Sequence, residues 1–202
     1  MNYTCTFYYK KNQPIYDHTS FSFEENKITI LLGHNGAGKT TLLKCISGIL
    51  PSSSKIEDCW FIGSNGTLIE HFSLMEHLKI IGAEDFENYI NLFDIGDVKS
   101  KPIQKLSTGQ KMICSIIVGL YSGKKYLLLD EPFAPLDPVN TDKLLNILEK
   151  SNRTIIITSH DLFLTKNAAD KIYFIKNGKI VFETTDKNMT IDELKSKYLE
   201  KA

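Results

Sequence analysis

A glycine-rich segment, residues 31–40 (LLGHNGAGKT), carries residue types that suit the binding of a nucleotide phosphate. Four residues separate Gly33 from the Gly38-Lys39-Thr40 triplet, which is the spacing of a phosphate-binding loop. Glycines let backbone N–H groups surround phosphate oxygens, and a helix that starts there offers its positive end to the anion. Lys39 is expected to reach the β- and γ-phosphates, and Thr40 to bind Mg²⁺. The alternative is a glycine turn with a chance Lys-Thr pair, which the strand pattern before it and the helix pattern after it disfavour.

A second chemical element is a pair of carboxylates that ends an apolar run, residues 126–131 (YLLLDE). Asp130 stands where a strand would end, in a position to hold the Mg²⁺ shell. Glu131 follows it and is suited to act as a general base toward an attacking water. An acidic turn after a strand is common by itself, but together with the phosphate loop it indicates nucleotide hydrolysis. Kinases, GTPases and RecA-like motors all remain open on these two motifs.

The elements that must position these residues follow from hydrophobic periodicity. Strands alternate with helices, which predicts a parallel sheet covered on both faces. Strands are expected at residues 3–9, 19–23, 27–33, 55–63, 126–132 and 153–160, and a hairpin at 171–183 around Asn177-Gly178. Helices are expected at residues 39–49, 74–81, 84–93, 108–121 and 140–150, and a closing helix at 190–202 that begins with a Thr190–Glu193 capping box.

Composition excludes several classes of function. The net charge is zero, so a nucleic-acid partner has no electrostatic support. The four cysteines show no metal-ligand spacing, and we expect no disulfide framework and a reducing cytoplasm. No signal peptide opens the chain, and no window approaches the roughly 20 apolar residues that cross a bilayer. We therefore expect no direct membrane insertion, and any function at a membrane to depend on a partner.

Residues 106–110 (LSTGQ) largely discriminate between the classes of nucleotide-hydrolysing protein left open above. This segment resembles the LSGGQ signature of ATP-binding cassette (ABC) ATPases and lies upstream of the acidic strand, as in that family. Residues 134–137 (APLD) resemble the D-loop, and His160 after IIITS resembles the switch histidine. The five motifs occur in the family's order over nearly the whole chain. The resemblance implies an α/β P-loop NTPase (ABC ATPase) core in a single domain, 1–202, with an N-terminal antiparallel β-subdomain and a short α-helical subdomain inserted at about 70–122.

The resemblance also implies roles for individual residues. In this family two cassettes pair head-to-tail, so Ser107 and Gly109 would donate hydrogen bonds to the γ-phosphate of the partner's ATP. His160 would hydrogen-bond the γ-phosphate and position the water near Glu131, and Asp137 would couple the two sites. The implied catalytic residues are Lys39, Glu131 and His160, and the implied Mg²⁺ ligands are Thr40 and Asp130. The implied ATP-binding residues are Tyr9, Gly33, His34, Asn35, Gly36, Ala37, Gly38, Lys39, Thr40, Thr41, Ser107, Gly109, Gln110 and Asp137.

Several positions depart from the family pattern or need a choice between neighbours. Tyr9, with Tyr8 as its neighbour, matches the aromatic residue that stacks on adenine. The glutamine expected after the third core strand falls at Ser64 or Asn65, and Asn65 offers a shorter amide toward Mg²⁺. Thr108 replaces a glycine of the signature. Ile113 stands where the family often has an arginine, and the helical insert is short.

The resemblance favours the ATP-hydrolysing subunit of an ABC transporter whose integral membrane subunit is a separate chain. The cassettes would form a homodimer or a heterodimer in the cytoplasm, peripheral on the inner face of the cell membrane, and bind no nucleic acid. The small size and short insert resemble bacterial exporter cassettes for peptide, haem or similar substrates. Two alternatives are a non-transport cassette of the Fe–S assembly type and an ATP-binding regulatory or immunity protein with little turnover.

Overall fold

The computed structural model describes residues 1–10 and 13–200, in which strands and helices alternate through most of the chain. The strands are β1 (Asn2–Lys10), β2 (Gln13–Ser22), β3 (Ile28–Leu32), β4 (Cys59–Ile62), β5 (Tyr126–Asp130), β6 (Thr154–Ser159), β7 (Lys171–Lys176) and β8 (Lys179–Thr184). The helices are α1 (Lys39–Ile46), α2 (Leu74–Ile80), α3 (Glu87–Leu92), α4 (Thr108–Tyr121), α5 (Pro138–Lys150), α6 (Leu162–Ala168) and α7 (Ile191–Glu200). A 3₁₀ turn at Ile103–Lys105 precedes α4.

The larger sheet has the strand order β4-β5-β6-β3-β7-β8. Its first five strands are parallel, and β8 runs antiparallel to β7 as the second strand of a hairpin. All residues of β3, β5 and β6 are buried, as expected for central strands that are covered on both faces. The predicted α/β sheet is therefore confirmed. The carboxyl ends of β3, β5 and β6 lie side by side, which is where open α/β sheets bind ligands.

Strands β1 and β2 form a separate antiparallel sheet, as predicted for the N-terminal part of the chain. One face of this sheet packs on α1 in a shared apolar cluster that includes Cys5 and Cys45, both buried. At the edge of this cluster the Tyr16 hydroxyl donates to the Gly38 carbonyl at 2.9 Å. The small sheet thus holds the start of α1 against the larger sheet.

Helices α2, α3 and α4 lie between β4 and β5 in the chain, within the range predicted for a helical insert. Helix α2 begins at the Ser73–Glu76 capping box that its sequence predicts. Helix α4 is buried along most of its length in the core cluster that contains Leu127 and Ile157 of the sheet. No helix among the described residues is long and apolar enough to cross a membrane.

Some element boundaries differ from the prediction. Strand β2 starts at Gln13 instead of residue 19, and β4 covers Cys59–Ile62 instead of 55–63. Helix α1 ends at Ile46, because the chain turns at Gly48 with a φ of +76°. Asn12, which the sequence places in the turn between the first two strands, lies outside the described residues, as do residues 201–202 of the predicted closing helix.

The sequence analysis missed helix α6. Its start is marked by Asp161, whose carboxylate accepts hydrogen bonds from the N–H groups of Phe163 and Leu164. An Asp before an apolar run is a helix-start signal, and it was available in the sequence. The capping box that starts α7 was predicted and is confirmed: Glu193 N–H donates to Thr190 Oγ1, and Thr190 N–H donates to Glu193 Oε2.

Candidate active site

The glycine-rich segment forms the loop between β3 and α1, at the carboxyl edge of the sheet. Backbone hydrogen bonds tie it to neighbouring strands: Gly33 N–H donates to Ser159 O at 3.2 Å, and Gly178 N–H donates to Ala37 O at 2.9 Å. The Asn177-Gly178 turn of the last hairpin therefore supports the loop from a distant part of the sequence. This anchoring presets the backbone for an anion before any ligand is bound.

Two glycines of the loop are required by its geometry. A Cβ at Gly33 would lie 2.4 Å from the Ile175 carbonyl oxygen, so any larger residue would displace β7. Gly38 has a φ of +105°, and a Cβ there would come within 3.0 Å of the Tyr16 hydroxyl. The spacing that suggests phosphate binding is thus also the spacing that lets β3 turn into α1.

Lys39 lies at the bottom of the loop with a side chain that is 6% exposed. Its Nζ donates to the carbonyl oxygens of Gly33 at 2.7 Å and His34 at 3.2 Å, and lies 3.3 Å from Glu131 Oε1. The ammonium therefore points across the loop to Glu131, the acidic residue that follows β5. A buried cation in this position is suited to bind a phosphate oxygen.

Asp130 is buried and accepts hydrogen bonds from two threonines. Thr40 Oγ1 donates toward both carboxylate oxygens, at 2.9 and 3.0 Å, and Thr158 Oγ1 donates to Oδ1 at 2.7 Å. Mg²⁺ prefers oxygen ligands, and the hydroxyl of Thr40 beside a carboxylate is a suitable donor set. The residues present therefore fit Mg²⁺, with phosphate and water oxygens as its remaining ligands.

Glu131 lies between a lysine and a histidine. Its Oε1 faces Lys39, and its Oε2 accepts a hydrogen bond of 2.9 Å from Nδ1 of His160. The backbone of Glu131 is left-handed, with a φ of +49°, which is uncommon for a residue with a side chain. Such a conformation persists where the surroundings hold it, and these sites are often functional.

The phosphate loop lines a cavity of about 280 Å³. Most of the predicted ATP and Mg²⁺ residues lie on its wall, together with the predicted catalytic residue Glu131: Tyr9, Asn35, Gly36, Ala37, Gly38, Lys39, Thr40, Thr41 and Asp130. Gly33, His34 and His160 line an adjacent cavity of about 200 Å³ instead. Tyr9 is 61% exposed and its hydroxyl lies 3.2 Å from Thr41 Oγ1, whereas Tyr8 is absent from the wall. The geometry thus favours Tyr9 over Tyr8 as the residue that faces a nucleotide.

Of the two residues at the glutamine position, Ser64 lines the phosphate-loop cavity and Asn65 does not. The turn continues through Gly66, whose φ is +80°, and packs on α4. The Ser115 hydroxyl of α4 accepts a hydrogen bond of 3.3 Å from Thr67 N–H. Asn65 therefore stays a sequence prediction for Mg²⁺, and Ser64 is the side chain of this turn that faces the candidate site.

The signature residues lie at the start of α4, in a different cavity of about 650 Å³. Ser107 and Gln110 form a capping box: Gln110 N–H donates to Ser107 Oγ at 3.2 Å, and Ser107 N–H donates to Gln110 Oε1 at 3.0 Å. A Cβ at Gly109 would lie 2.8 Å from the Pro135 carbonyl oxygen, so the D-loop packs directly on the signature. Thr108 is exposed, which explains how it replaces a glycine.

Asp137 lines this second cavity and caps helix α5. Hydrogen bonds from the backbone N–H and the side-chain amide of Asn140 lower the pKa of the Asp137 carboxyl below its usual value. Ile113 lies on the same wall, where the family often has an arginine. Among the residues that the structure describes, none lines both this cavity and the phosphate-loop cavity.

Sequence reasoning missed Thr158, which the structure places against both Asp130 and Glu131. It lies two residues before His160, inside the apolar run of β6, and the run itself suggests only a buried strand. Threonine is common in β-strands, so nothing in the local sequence pattern indicates that Thr158 belongs to the site.

Comparisons with known proteins identify the family and the fold of this chain. The family model described as "ABC transporter" matches residues 16–134. The lantibiotic transport ATP-binding protein SrtF of Streptococcus pyogenes is 29% identical over 203 residues, 89% of each chain. The methionine import ATP-binding protein MetN of Clostridioides difficile is 30% identical over 208 residues, 86% of this chain and 64% of that protein. A solved structure of an ATP-binding subunit of an ABC transporter superposes with a TM-score of 0.84 at 20% identity, over 97% of both chains, which supports the fold.

Proposed function

This chain belongs to the ABC transporter family as an ATP-hydrolysing cassette, and we propose that two copies, or one copy and a related cassette, close head-to-tail around ATP. The observation that carries this proposal is the separation of two cavities in one chain. Ser107, Gly109 and Asp137 line one of them, and Lys39 and Thr40 line the other. A second cassette would bring its signature to the phosphate loop of the first.

Within such a site each residue has a chemical role. Lys39, which pairs with Glu131 in this structure, would bind the β- and γ-phosphate oxygens and release the carboxylate. Glu131 would then accept a proton from the attacking water, and His160 would hold Glu131 and the γ-phosphate in register. Thr40 and Asp130 would hold Mg²⁺, which would neutralise the developing charge on the phosphate oxygens. Ser107 and Gly109, at a helix N-terminus, would stabilise the γ-phosphate of the partner's ATP.

The proposed partner is an integral membrane subunit on a separate chain, with the cassette on the cytoplasmic face of the cell membrane. The similarity to proteins named as ATP-binding proteins for transport and import supports a membrane partner. We propose export of a peptide, haem or a similar substrate. The similarity to a protein named for lantibiotic transport supports a peptide-like substrate, whereas a protein named for methionine import is similarly identical. The membrane subunit would decide the direction.

The composite site is tested with Glu131→Gln, which removes the general base and keeps a side chain of nearly equal size. We expect this variant to bind ATP and to elute as a dimer in size-exclusion chromatography with light scattering, and as a monomer with ADP. Glu84→Gln, a similar change outside the lining of both cavities, should show no ATP-stabilised dimer. A Glu131→Gln chain that stays monomeric in saturating ATP contradicts the composite site.

The membrane partner is tested by affinity purification of the tagged chain from its own cells, with and without detergent. We expect an integral membrane protein to co-purify from detergent extracts. A complex that forms only with soluble proteins would instead support the non-transport alternative of the Fe–S assembly type.

A further inference from the structure

Thr158 joins the two acidic residues of the site through one hydroxyl group. It accepts a hydrogen bond of 2.9 Å from Glu131 N–H and donates one of 2.7 Å to Asp130 Oδ1. One oxygen atom therefore fixes both the backbone of Glu131 and the carboxylate of Asp130. Among small uncharged side chains, only a hydroxyl supplies a strong donor and a strong acceptor on the same atom.

The place of Thr158 in the sheet explains why it can make both bonds. It lies opposite Asp130 in the β5–β6 register and opposite Leu31 in the β3–β6 register. Thr158 is 0% exposed, so bulk water has no access from which to replace its hydroxyl group. A β-branched side chain on a packed central strand is also restricted at χ1, which keeps the hydroxyl in one direction.

The bond to Glu131 bears on catalysis because the backbone of Glu131 is left-handed. This conformation costs energy for a residue with a side chain, and the hydrogen bond from its N–H to Thr158 helps to hold it. The side chain then reaches both Lys39 Nζ and His160 Nδ1. If the backbone relaxed, the carboxylate would leave the place where it meets an attacking water.

We propose that Thr158 is a positioning residue for ATP hydrolysis: its hydroxyl holds Glu131 in the left-handed conformation and orients the Asp130 carboxylate. The inference rests on the proposed role of Glu131 as the general base. Thr158 itself lines neither the phosphate-loop cavity nor the signature cavity, so it acts through these two neighbours.

Thr154 provides a matched control on the same strand. It is also 0% exposed, and its hydroxyl also accepts a backbone hydrogen bond, from Asn26 N–H at 3.0 Å. It lies at the opposite end of β6 from the site. Thr154→Val thus removes a comparable buried hydroxyl without touching the acidic residues.

The experiment compares ATP turnover of Thr158→Val, Thr158→Ser, Thr154→Val and Glu131→Gln in the full chain, each corrected for the folded fraction from urea unfolding. We expect Thr158→Val to lower kcat by about 10- to 100-fold, as expected for a misplaced catalytic group, with KM changed by less than about threefold. Thr158→Ser should restore most of kcat because it keeps the hydroxyl, and Thr154→Val should keep kcat within about twofold of the original chain.

Three results would overturn the inference: a Thr158→Val kcat within about twofold of the original chain, an equal loss in Thr154→Val, or no recovery in Thr158→Ser. If Thr158→Val does not fold, Thr158→Ala and Thr158→Ser form the decisive pair, and equal kcat values in that pair overturn it. Full turnover in Glu131→Gln would contradict the role of Glu131 as general base, and the inference about Thr158 would be rejected with it. If Glu131→Gln loses turnover and the Thr158 variants do not, Glu131 is still supported as the general base and only the positioning role of Thr158 is rejected.

Discussion

The phosphate-loop cavity and the signature cavity of this chain differ in how completely their polar groups are engaged. Around the phosphate loop, Lys39 pairs with Glu131, which also bonds His160, and Asp130 accepts hydrogen bonds from Thr40 and Thr158. Little of Lys39 or Glu131 is exposed. Around the signature, the capping box of α4 and the Asp137–Asn140 pair are exposed to solvent. One half of the site is preorganised in a single chain, and the other presents a helix N-terminus outward. We therefore expect that substitutions in one cavity impair nucleotide binding and substitutions in the other impair dimer formation.

The largest expected effect is on the preorganised half. Lys39→Ala removes a buried charged donor, and we expect ATP affinity to fall by about 10- to 100-fold because hydrogen bonds to charged groups are worth about 1.5–3 kcal/mol. Isothermal titration with ATP measures the change. Lys44→Ala, on the same helix but outside the cavity wall, should bind ATP as the original chain does. Equal affinity in the two variants would contradict the role of Lys39.

The next largest effect is expected on dimer formation, at the signature cavity. Gly109→Ala places a Cβ against the Pro135 carbonyl and pushes the D-loop away from the signature. Overpacking costs about 1–3 kcal/mol, so the ATP-stabilised dimer of Glu131→Gln should weaken by about tenfold or more while ATP binding by the monomer is unchanged. Analytical ultracentrifugation measures the dimer. Gly96→Ala, where a Cβ meets nothing within 4 Å, is the control, and a similar loss there would reject the explanation.

A smaller effect is expected at the adenine side of the preorganised half. Stacking of a base on an aromatic ring is worth about 1–3 kcal/mol, so Tyr9→Ala should lower ATP affinity by roughly tenfold. Tyr8→Ala removes the neighbouring ring, which is 45% exposed and does not line the cavity, and should change affinity by less than about twofold. Titration with a fluorescent ATP analogue separates the two variants. The reverse ranking would assign the stacking role to Tyr8.

The smallest effect concerns the cap of α5 in the outward half. Because hydrogen bonds from Asn140 lower the folded-state pKa of Asp137, its ionised form stabilises the fold above the unfolded-state pKa. That contribution should be lost as the pH falls through the lowered folded-state pKa. The difference in urea midpoint between the original chain and Asp137→Ala should therefore be largest at neutral pH and shrink on acidification. A difference that stays constant with pH would show that the carboxylate does not make this contribution.

Much of the fold was predictable because its signals are local. The apolar runs of β3, β5 and β6, the Asn177-Gly178 turn and the predicted capping boxes of α2 and α7 all lie where the sequence placed them. The short β4 and the early end of α1 were less predictable, because apolar periodicity does not fix where a strand stops pairing or at which residue a helix ends. Helix α6 had a usable signal in Asp161 that the sequence analysis did not use.

The candidate site was also predictable only in part. Lys39, Thr40, Asp130 and Glu131 were identified from spacing, and the structure brings them together around the phosphate loop. Tyr9 was preferred over Tyr8 from the sequence, and it lines the cavity wall, whereas the choice of Ser64 over Asn65 came only with that wall. Neighbours in sequence differ by where their side chains point, and that direction depends on local twist and turn geometry.

By itself, the sequence determined that a phosphate-binding loop, a signature and an acidic pair occur in the order of an ABC ATPase, because each is encoded by neighbouring residues. The folded chain was needed to show that Thr158 bridges Asp130 and Glu131, that Gly109 packs on Pro135, and that the two cavities are separate. Those relations join residues far apart in sequence. They are set by strand register and by the packing of helices on the sheet, which no local pattern of residues records.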